Sequence, residues 1–193
     1  DALPICEKCI FLAKSVEYLG HIIDSEGLKT TQSKVEALTN ARRPRNVGEL
    51  NSYLGLLRYY AKFLPNLATV LHPLNRLTHR DVTWDWSIEC ESAFQKTKQM
   101  ILDAGVLVHY DVNLPIKIAC DGSPYAVGSV MSHIMPDGEE RPVAFASRAL
   151  TKAESNYAQL EREALALVFG VQHFHQYIYG RRFVLVKIGR AHV

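Results

Sequence analysis

The chain has 193 residues, of which 48% are hydrophobic, and a formal net charge of +2 at pH 7. This is ample for one medium domain or two small ones. No apolar run reaches the length of a transmembrane helix and no signal peptide opens the sequence, so we expect an intracellular protein with no membrane partner.

The charge is unevenly distributed along the chain. Between residues 28 and 80, nine lysines and arginines stand against only two acids, whereas the chain from residue 81 onward is balanced or acidic. A basic block of this kind suggests a segment that faces a polyanion. A pair of solvated basic helices is the alternative explanation of the same charges.

The four cysteines, Cys6, Cys9, Cys90 and Cys120, form no recognisable disulfide framework. Cys6 and Cys9 have the spacing of a metal knuckle, but no second Cys or His pair follows at a suitable distance. His21 alone cannot complete a four-ligand site. We therefore expect reduced, incidental cysteines.

The first half of the chain predicts a hairpin followed by helices. Strand formers and the turn residues Asp24 to Gly27 predict the hairpin over Val16–Gly27, and a short helix follows over Thr31–Ala41. Asn46 and Glu49 form a candidate capping box for the next helix.

An apolar stripe recurs along that next helix at spacings of three and four residues, which predicts a buried face. Its members are Leu50, Leu54, Leu57, Ala61 and Leu64. Arg58 and Lys62 share another face, one turn apart. A further amphipathic piece is predicted over residues 67–77, and Ser87 is a candidate N-cap for a helix that continues to about Leu102.

The second half changes to a strand pattern. Alternation from Ile116 to Asp121 predicts a first strand, and two more are predicted over residues 127–134 and 141–147, around a turn at residues 135–138. A long helix is predicted over Ser155–Tyr179, with Leu160, Ala164, Leu167, Val168 and Val171 among its apolar positions. A fourth strand begins at Phe183. Three strands, a helix and a further strand indicate an α/β unit that lacks its end.

Long phrases of the sequence resemble the reverse transcriptase of gypsy-type LTR retrotransposons. The phrases are VEYLGHIIDSEGLKTTQSKVEAL, ELNSYLGLLRYYAKFLPNLATVLHPLNRLT, WDWSIECESAFQKTKQMI and FASRALTKAESNYAQLEREALALVFGVQHFHQYIYGRRFVLV. The resemblance implies the end of the palm over residues 1–27, the thumb and connection over 28–110, and a truncated RNase H-like domain, a mixed sheet with helices, over 111–187. The implied fold class is therefore α+β followed by α/β.

In that family the Leu-Gly-His turn, here Leu19, Gly20 and His21, helps hold the primer terminus, and the thumb helices lie against the template–primer duplex. The basic block agrees with this role, because Lys and Arg supply most sequence-independent affinity for phosphates. The candidate phosphate contacts are Arg42, Arg43, Arg45, Arg58 and Lys62. Tyr59 and Tyr60 could stack on sugars or bases, but core packing is an equal alternative for Tyr60.

The RNase H family holds two divalent ions, normally Mg²⁺, about 4 Å apart, and such ions require several carboxylate ligands from separate elements. The resemblance assigns Asp121 and Glu163 to this metal-binding and catalytic set, with Glu161 as the runner-up to Glu163. A third acid should follow the fourth strand, but Ile188 stands at that position. Two ligands of a usual four are too few to hold both ions.

Two further features indicate a piece of a larger protein. No Asp-Asp pair occurs in the chain, so the polymerase aspartates of the family are missing. Residues 188–193, Ile-Gly-Arg-Ala-His-Val, match the translation of a common sequencing adapter, and we interpret them as a non-native tail. The chain also begins as if cut from a longer protein.

Three functional interpretations remain open on these residues. The first is a fragment of a pol polyprotein whose parent copies RNA into DNA and degrades RNA in RNA–DNA hybrids, with the rest of the polyprotein as a partner. The second is a catalytically dead fragment that retains only binding to template–primer or hybrid. The third is a host protein recruited as an interaction module, which has no distinctive sequence support.

Overall fold

A computed structural model describes residues 11–188, which form two sheets and a set of helices. The strands are β1 (Ser15–Tyr18), β2 (His21–Asp24), β3 (Leu28–Thr30), β4 (Ile116–Gly122), β5 (Ala126–Ile134), β6 (Glu140–Ala149) and β7 (Val184–Lys187). The helices are α1 (Gln32–Thr39), α2 (Val47–Tyr59), α3 (Leu67–Val70), α4 (His72–Arg76), α5 (Ile88–Leu102), α6 (Gln159–His173) and α7 (His175–Ile178). The tail residues 189–193 and the Cys6–Cys9 spacing lie outside the described residues.

The first sheet is a three-stranded antiparallel meander, β1-β2-β3, rather than the single hairpin predicted from the sequence. The predicted continuous strand is interrupted at Leu19 and Gly20, because both have positive φ angles (48° and 76°) and so form a two-residue turn. The predicted turn at Asp24–Gly27 is present, and the Asp24 carboxylate accepts hydrogen bonds from the Glu26 and Gly27 amides.

The helical lobe, which we define as residues 31–104, has a leucine-rich core to which all five helices α1 to α5 contribute. The Asn46 side chain accepts from the Glu49 amide and caps α2, and Ser87 caps α5 in the same way, so both predicted N-caps are confirmed. The second half of the predicted capping box is shifted by one residue, because the Glu49 carboxylate accepts from the amide of Arg45 instead of Asn46.

Helix α2 ends at Tyr59, five residues before the predicted end, and a 3₁₀ turn over Ala61–Phe63 follows. The tighter turn directs the Tyr60 and Phe63 rings inward, where each is almost fully buried. Arg58 and Lys62 therefore do not share one α-helical face. The amphipathic piece predicted over residues 67–77 is likewise divided, with α3 ending at Val70 and α4 beginning at His72.

The second sheet is mixed, as predicted, with the strand order β6-β5-β4-β7. β4 pairs antiparallel with β5 and parallel with β7, where Cys120 lies opposite Lys187. Along β4 the buried residues Ile116, Ile118 and Cys120 alternate with partly exposed ones. This alternation follows from the two-residue period of a strand and orients the buried positions toward α6.

The long helix predicted over Ser155–Tyr179 is not continuous, and it begins at Gln159 rather than at Ser155, although α7 ends at Ile178, one residue from the predicted end. The segment consists of a 3₁₀ turn at residues 154–156, followed by α6 and α7. These two helices are separated at Phe174, because its ring turns into the core and is only 1% exposed. The buried face also differs from the predicted one: Leu160 and Val168 are exposed, whereas Ala166 and Gly170 are buried. Gly170 lies so close to the sheet that a Cβ there would be 2.6 Å from the Cys120 sulfur.

The sheet lobe, residues 111–188, has α6 on one face, and the helical lobe covers part of the other face. The Ala68 amide donates to the Ser147 hydroxyl at 3.0 Å, and the hydroxyls of Thr69 and Ser123 are hydrogen-bonded at 3.0 Å. Phe145 of β6 packs against the helical core. We refer to this set of contacts as the lobe seam. None of the helices in residues 11–188 is long and apolar enough to cross a membrane.

Candidate nucleic-acid interface and carboxylate pair

The turn between β1 and β2 is attached to α2 by two tyrosine hydroxyls. Tyr59 Oη donates to the Leu19 carbonyl at 2.6 Å, and Tyr60 Oη donates to the Gly20 carbonyl at 3.2 Å. A left-handed φ at Leu19 is costly for a residue that carries a Cβ, so the surrounding contacts must hold it there. The result is a fixed turn that presents Leu19, which is 68% exposed, to the surroundings.

His21 supports this turn from within. Its ring is only 7% exposed and lies 5.3–5.7 Å from the rings of Tyr59, Tyr60 and Phe63. Nδ1 is 3.0 Å from the Leu19 carbonyl, and because a carbonyl only accepts, Nδ1 carries the proton. Burial lowers the pKa of His21, while the Leu19 carbonyl opposes this effect and Lys62 adds to it. The lowered pKa favours the neutral imidazole, and Nε2 is buried without a hydrogen-bond partner among residues 11–188.

The structure places the five candidate basic residues in two groups. Arg42, Arg43 and Arg45 are exposed on the extended segment before α2. Arg58 lies near the end of that helix, where it donates to Asn75 at 3.1 Å, and Lys62 follows in the 3₁₀ turn. Since α2 has 13 residues, the two groups are separated by roughly 20 Å along it.

Lys62 is the less exposed member of the second group. Its ammonium lies 5.5 Å from the centre of the Phe63 ring, and burial lowers its pKa. The Lys62 ammonium therefore lies close to the aromatic cluster around His21, and its charge adds to burial in lowering the pKa of that imidazole. Tyr60 is core, as one of the two alternatives had it, whereas Tyr59 is 50% exposed beside the turn.

Asp121 and Glu163 lie at the same end of the sheet lobe. Asp121 is the penultimate residue of β4, and its neighbour Gly122 is in direct contact with the backbone of α6. A Cβ on Gly122 would lie 2.7 Å from the Arg162 carbonyl oxygen and 3.1 Å from the Glu163 nitrogen. The side chain of Gln159 bridges the two elements, because its Nε2 donates to the Gly122 carbonyl and to the Glu163 carboxylate.

The Glu163 carboxylate already has a cationic partner. Lys187 Nζ lies 2.6 Å from Glu163 Oε2, and this ammonium, followed by Gln159, lowers the pKa of Glu163. Lys187 is the last residue of β7, and the Ile188 amide continues the pairing by donating to the Cys120 carbonyl at 2.8 Å. β7 therefore brings Lys187 to the end of the sheet where Asp121 and Glu163 lie.

The described residues do not form a complete two-ion metal site. Within the range 11–188, no group of three or more His, Cys, Asp or Glu side chains is arranged to hold an ion. Hard divalent ions require several oxygen ligands, and here Asp121 and Glu163 provide only part of such a set. Glu163 would also have to exchange the Lys187 ammonium for the metal.

Glu161, the runner-up acid, has a different position. Its carboxylate accepts from the Ala158 amide at 2.7 Å and so caps the start of α6. Gln159 and Lys187 are site residues that sequence reasoning missed. The signal for Gln159 was its position one helical turn before Glu163. The contact of Lys187 with Glu163 depends on the parallel pairing of β7 with β4, which no local sequence pattern indicates.

Comparisons with known proteins identify a family and several relatives. Residues 86–185 match the sequence family described as the RNase H-like domain found in reverse transcriptase. The Tf2-3 and Tf2-4 transposon polyproteins of Schizosaccharomyces pombe are each 32% identical over 171 residues, which is 89% of this chain but only 13% of each polyprotein.

Solved structures show the same fold. A foamy viral protease–reverse transcriptase in complex with double-stranded DNA has a TM-score of 0.78 at 23% identity, over 94% of this chain and 38% of that one. The foamy viral enzyme in complex with an RNA/DNA hybrid has a TM-score of 0.76 at 23% identity, over 94% of this chain and 25% of that one.

Proposed function

Because the chain belongs to the family of RNase H-like domains found in reverse transcriptase, we propose that it is a segment of a retrotransposon polyprotein that binds the template–primer or RNA–DNA hybrid. The chain spans 13% of the length of the polyproteins that it matches, so polymerisation and RNA cleavage are proposed for the intact parent. We assign residues 1–27 to the palm end, 28–110 to the thumb and connection, 111–187 to RNase H and 188–193 to a non-native tail.

The observation that carries this proposal is the Leu19–Gly20 turn attached to α2 by Tyr59 and Tyr60. A turn that is to hold a nucleic-acid end needs a fixed position relative to the helix beside the duplex. The exposed Leu19 presents an apolar group at this turn, and Lys62 places a cation near the His21 ring that supports the turn. The foamy viral structures are complexes with double-stranded DNA and with an RNA/DNA hybrid, which supports the same ligand class here.

Binding through phosphates is tested by salt titration of a fluorescein-labelled blunt RNA–DNA hybrid. Each phosphate contact contributes roughly 0.9 to the slope of log K against log salt. Replacing Arg42, Arg43 and Arg45 together by Gln should lower the slope by as much as about 3. The matched control replaces the exposed cations Lys96, Arg141 and Lys152, which changes the net charge equally. An equal loss of slope in the control would contradict the assignment.

For the carboxylates, we propose that Asp121 and Glu163 supply part of a divalent-metal site, with Mg²⁺ as the ion, once the polyprotein completes the ligand set. In the intact parent, Asp121→Asn and Glu163→Gln should abolish release of RNA from the hybrid. Glu161→Gln is the control acid, because it caps α6 and should leave cleavage intact. The present chain should release no RNA from the hybrid. The alternative interpretation, a fragment that only binds nucleic acid, predicts the same result.

Sequencing the gene across Val186 separates these two alternatives. A frame that continues into a further aspartate supports the nuclease parent. A natural stop at this point would leave binding as the only proposed activity.

A further inference from the structure

A cleft lies away from the Leu19 turn, at the opposite end of α2. It has a volume of about 450 Å³ and is lined by Arg42, Arg43, Pro44, Arg45 and Trp84. The volume falls within the range of small-molecule sites and is sufficient for a nucleotide unit. Pro44 is buried and anchors the segment, so the three arginine side chains on either side of it extend into solvent.

The positive charge of this cleft is only partly offset among residues 11–188, where hydrogen bonds from Gln95 and Trp86, and then the charge of Arg43, lower the pKa of the Glu91 carboxyl. None of the three arginines forms an ion pair with any acid in residues 11–188. The Arg43 guanidinium instead lies 5.2 Å from the centre of the Trp86 ring. Unpaired arginines in a concave site favour an anionic ligand, and their planar guanidinium groups suit phosphate oxygens.

The two tryptophans beside the arginines differ in their surroundings. Trp86 is fixed, because its Nε1 donates to Glu91 and its ring meets the core residue Phe94 edge-on. Trp84 lies 5.9 Å from Trp86, lines the cleft and has no hydrogen bond among the described residues. The Trp84 indole is half-buried, packs against the helical core and meets Trp86 at an interplanar angle of 35°, so one side of it is held while the other lines the cleft.

We infer that this cleft binds an unpaired nucleotide of a single-stranded extension, with the base stacked on Trp84 and the phosphates held by Arg42, Arg43 and Arg45. The choice of a single strand follows from the aromatic ring. In a duplex the bases already stack on one another, so only an unpaired base has a free face for Trp84. The inference rests on the proposed nucleic-acid binding and adds a second site, roughly 20 Å from the Leu19 turn.

The test compares two probes on the full chain: a blunt RNA–DNA hybrid and the same hybrid with a single-stranded overhang. Trp84→Leu keeps apolar bulk over the core but removes the ring. It should weaken binding of the overhang probe about tenfold and leave the blunt probe unchanged. Trp84→Phe retains a ring and should bind the overhang within a few-fold of the parent chain.

A second readout uses the two tryptophans themselves. A short oligothymidylate should quench the fluorescence of the parent chain, and most of this quenching should be lost in Trp84→Phe, where only Trp86 emits. A merely structural role for Trp84 would not produce this difference.

Several results would overturn the inference. One is an unchanged overhang affinity in Trp84→Leu, and another is an equal loss for both probes. A third is displacement of oligothymidylate by polyglutamate as effectively as by unlabelled oligothymidylate, which would show a general polyanion surface. Failure of the parent chain to bind the blunt probe, by contrast, would contradict the proposed function and not the cleft.

Discussion

Each of the two candidate sites contains a glycine in close contact with a neighbouring element, Gly20 at the Leu19 turn and Gly122 beside Asp121, but the two contacts differ in kind. At Gly20 a Cβ would lie 2.6 Å from the Tyr60 hydroxyl, the end of a side chain. At Gly122 it would lie 2.7 Å from a carbonyl oxygen of α6, which is backbone. The Leu19 turn can therefore adjust by moving one ring, whereas the Asp121–Glu163 edge can adjust only by moving a helix.

This difference indicates where each site obtains its geometry. The position of the Leu19 turn is determined by side chains, because the hydroxyl groups of Tyr59 and Tyr60 donate to its backbone carbonyls. The carboxylate pair depends on how closely α6 approaches β4. Substitutions at the two places should accordingly differ in size and in how they can be rescued.

The largest expected effect is that of Gly122→Ala. The new Cβ must displace the Arg162 carbonyl, which separates α6 from β4, and we expect a loss of about 3 kcal/mol in the free energy of unfolding by urea. Gly55→Ala is the matched control, because no atom lies within 4 Å of a Cβ there and α2 should gain roughly 0.5–1 kcal/mol. A mild effect at Gly122 would show that the helix is free to shift.

Gly20→Ala should cost about 2 kcal/mol. Its φ of 76° is unfavourable for alanine, and the Tyr60 hydroxyl has to move. Because the obstacle is one hydroxyl, Gly20→Ala combined with Tyr60→Phe should be destabilised by about 1 kcal/mol less than the sum of the single variants. A double-mutant cycle measures this coupling, and strict additivity would show that Tyr60 is not the obstacle.

Tyr59→Phe should have a smaller effect, a loss of about 1 kcal/mol, since it removes one hydrogen bond to the Leu19 carbonyl. The ring remains beside His21. Chemical denaturation would measure the loss, and the amide exchange rate of Gly20 should rise because the turn is held less firmly. A turn that stays equally protected would indicate that Tyr60 alone holds it.

The smallest effect concerns acid stability in the sheet lobe. The Arg148 guanidinium, with the Thr151 amide, lowers the pKa of Glu154 to about 2. A carboxyl with a depressed pKa stabilises the fold above the ordinary value of 4.5, and this contribution is lost as the pH falls toward 2. Glu154→Gln should lose about 0.5 kcal/mol at neutral pH, because Arg148 is partly exposed. The difference from the parent chain should vanish at the acid end of a pH series of unfolding curves.

The sequence predicted those parts of the fold that short-range chemistry determines. Asn46 and Ser87 are N-caps because their side chains accept from amides three residues later, and this information is local. The strand alternation from Ile116 to Asp121 was predicted correctly for the same reason. The position of Asp121 and Glu163 at one end of the lobe follows from the resemblance, while their metal-binding role remains a proposal.

The errors come from packing over long distances. The break at Phe174 and the early end of α2 both occur where an aromatic ring turns into a core, and propensity alone does not indicate either. Leu160 belongs to the apolar pattern that was predicted to be buried, but it is exposed. The face of α6 that contacts the sheet is instead determined by the small residues Ala166 and Gly170. The pairing of Lys187 with Glu163 depends on β7 lying beside β4.

The lobe seam has a consequence for the order in which the protein is made. Ser123 and Ser147 of the sheet lobe bind Thr69 and Ala68, which leave the ribosome earlier. The helical lobe can therefore fold before β4, β5 and β6 leave the ribosome, so that the second sheet assembles on a surface that is already formed. β7 emerges last, and with it comes Lys187. The end of the sheet that carries Asp121 and Glu163 is thus the final part of the described chain to be completed during synthesis.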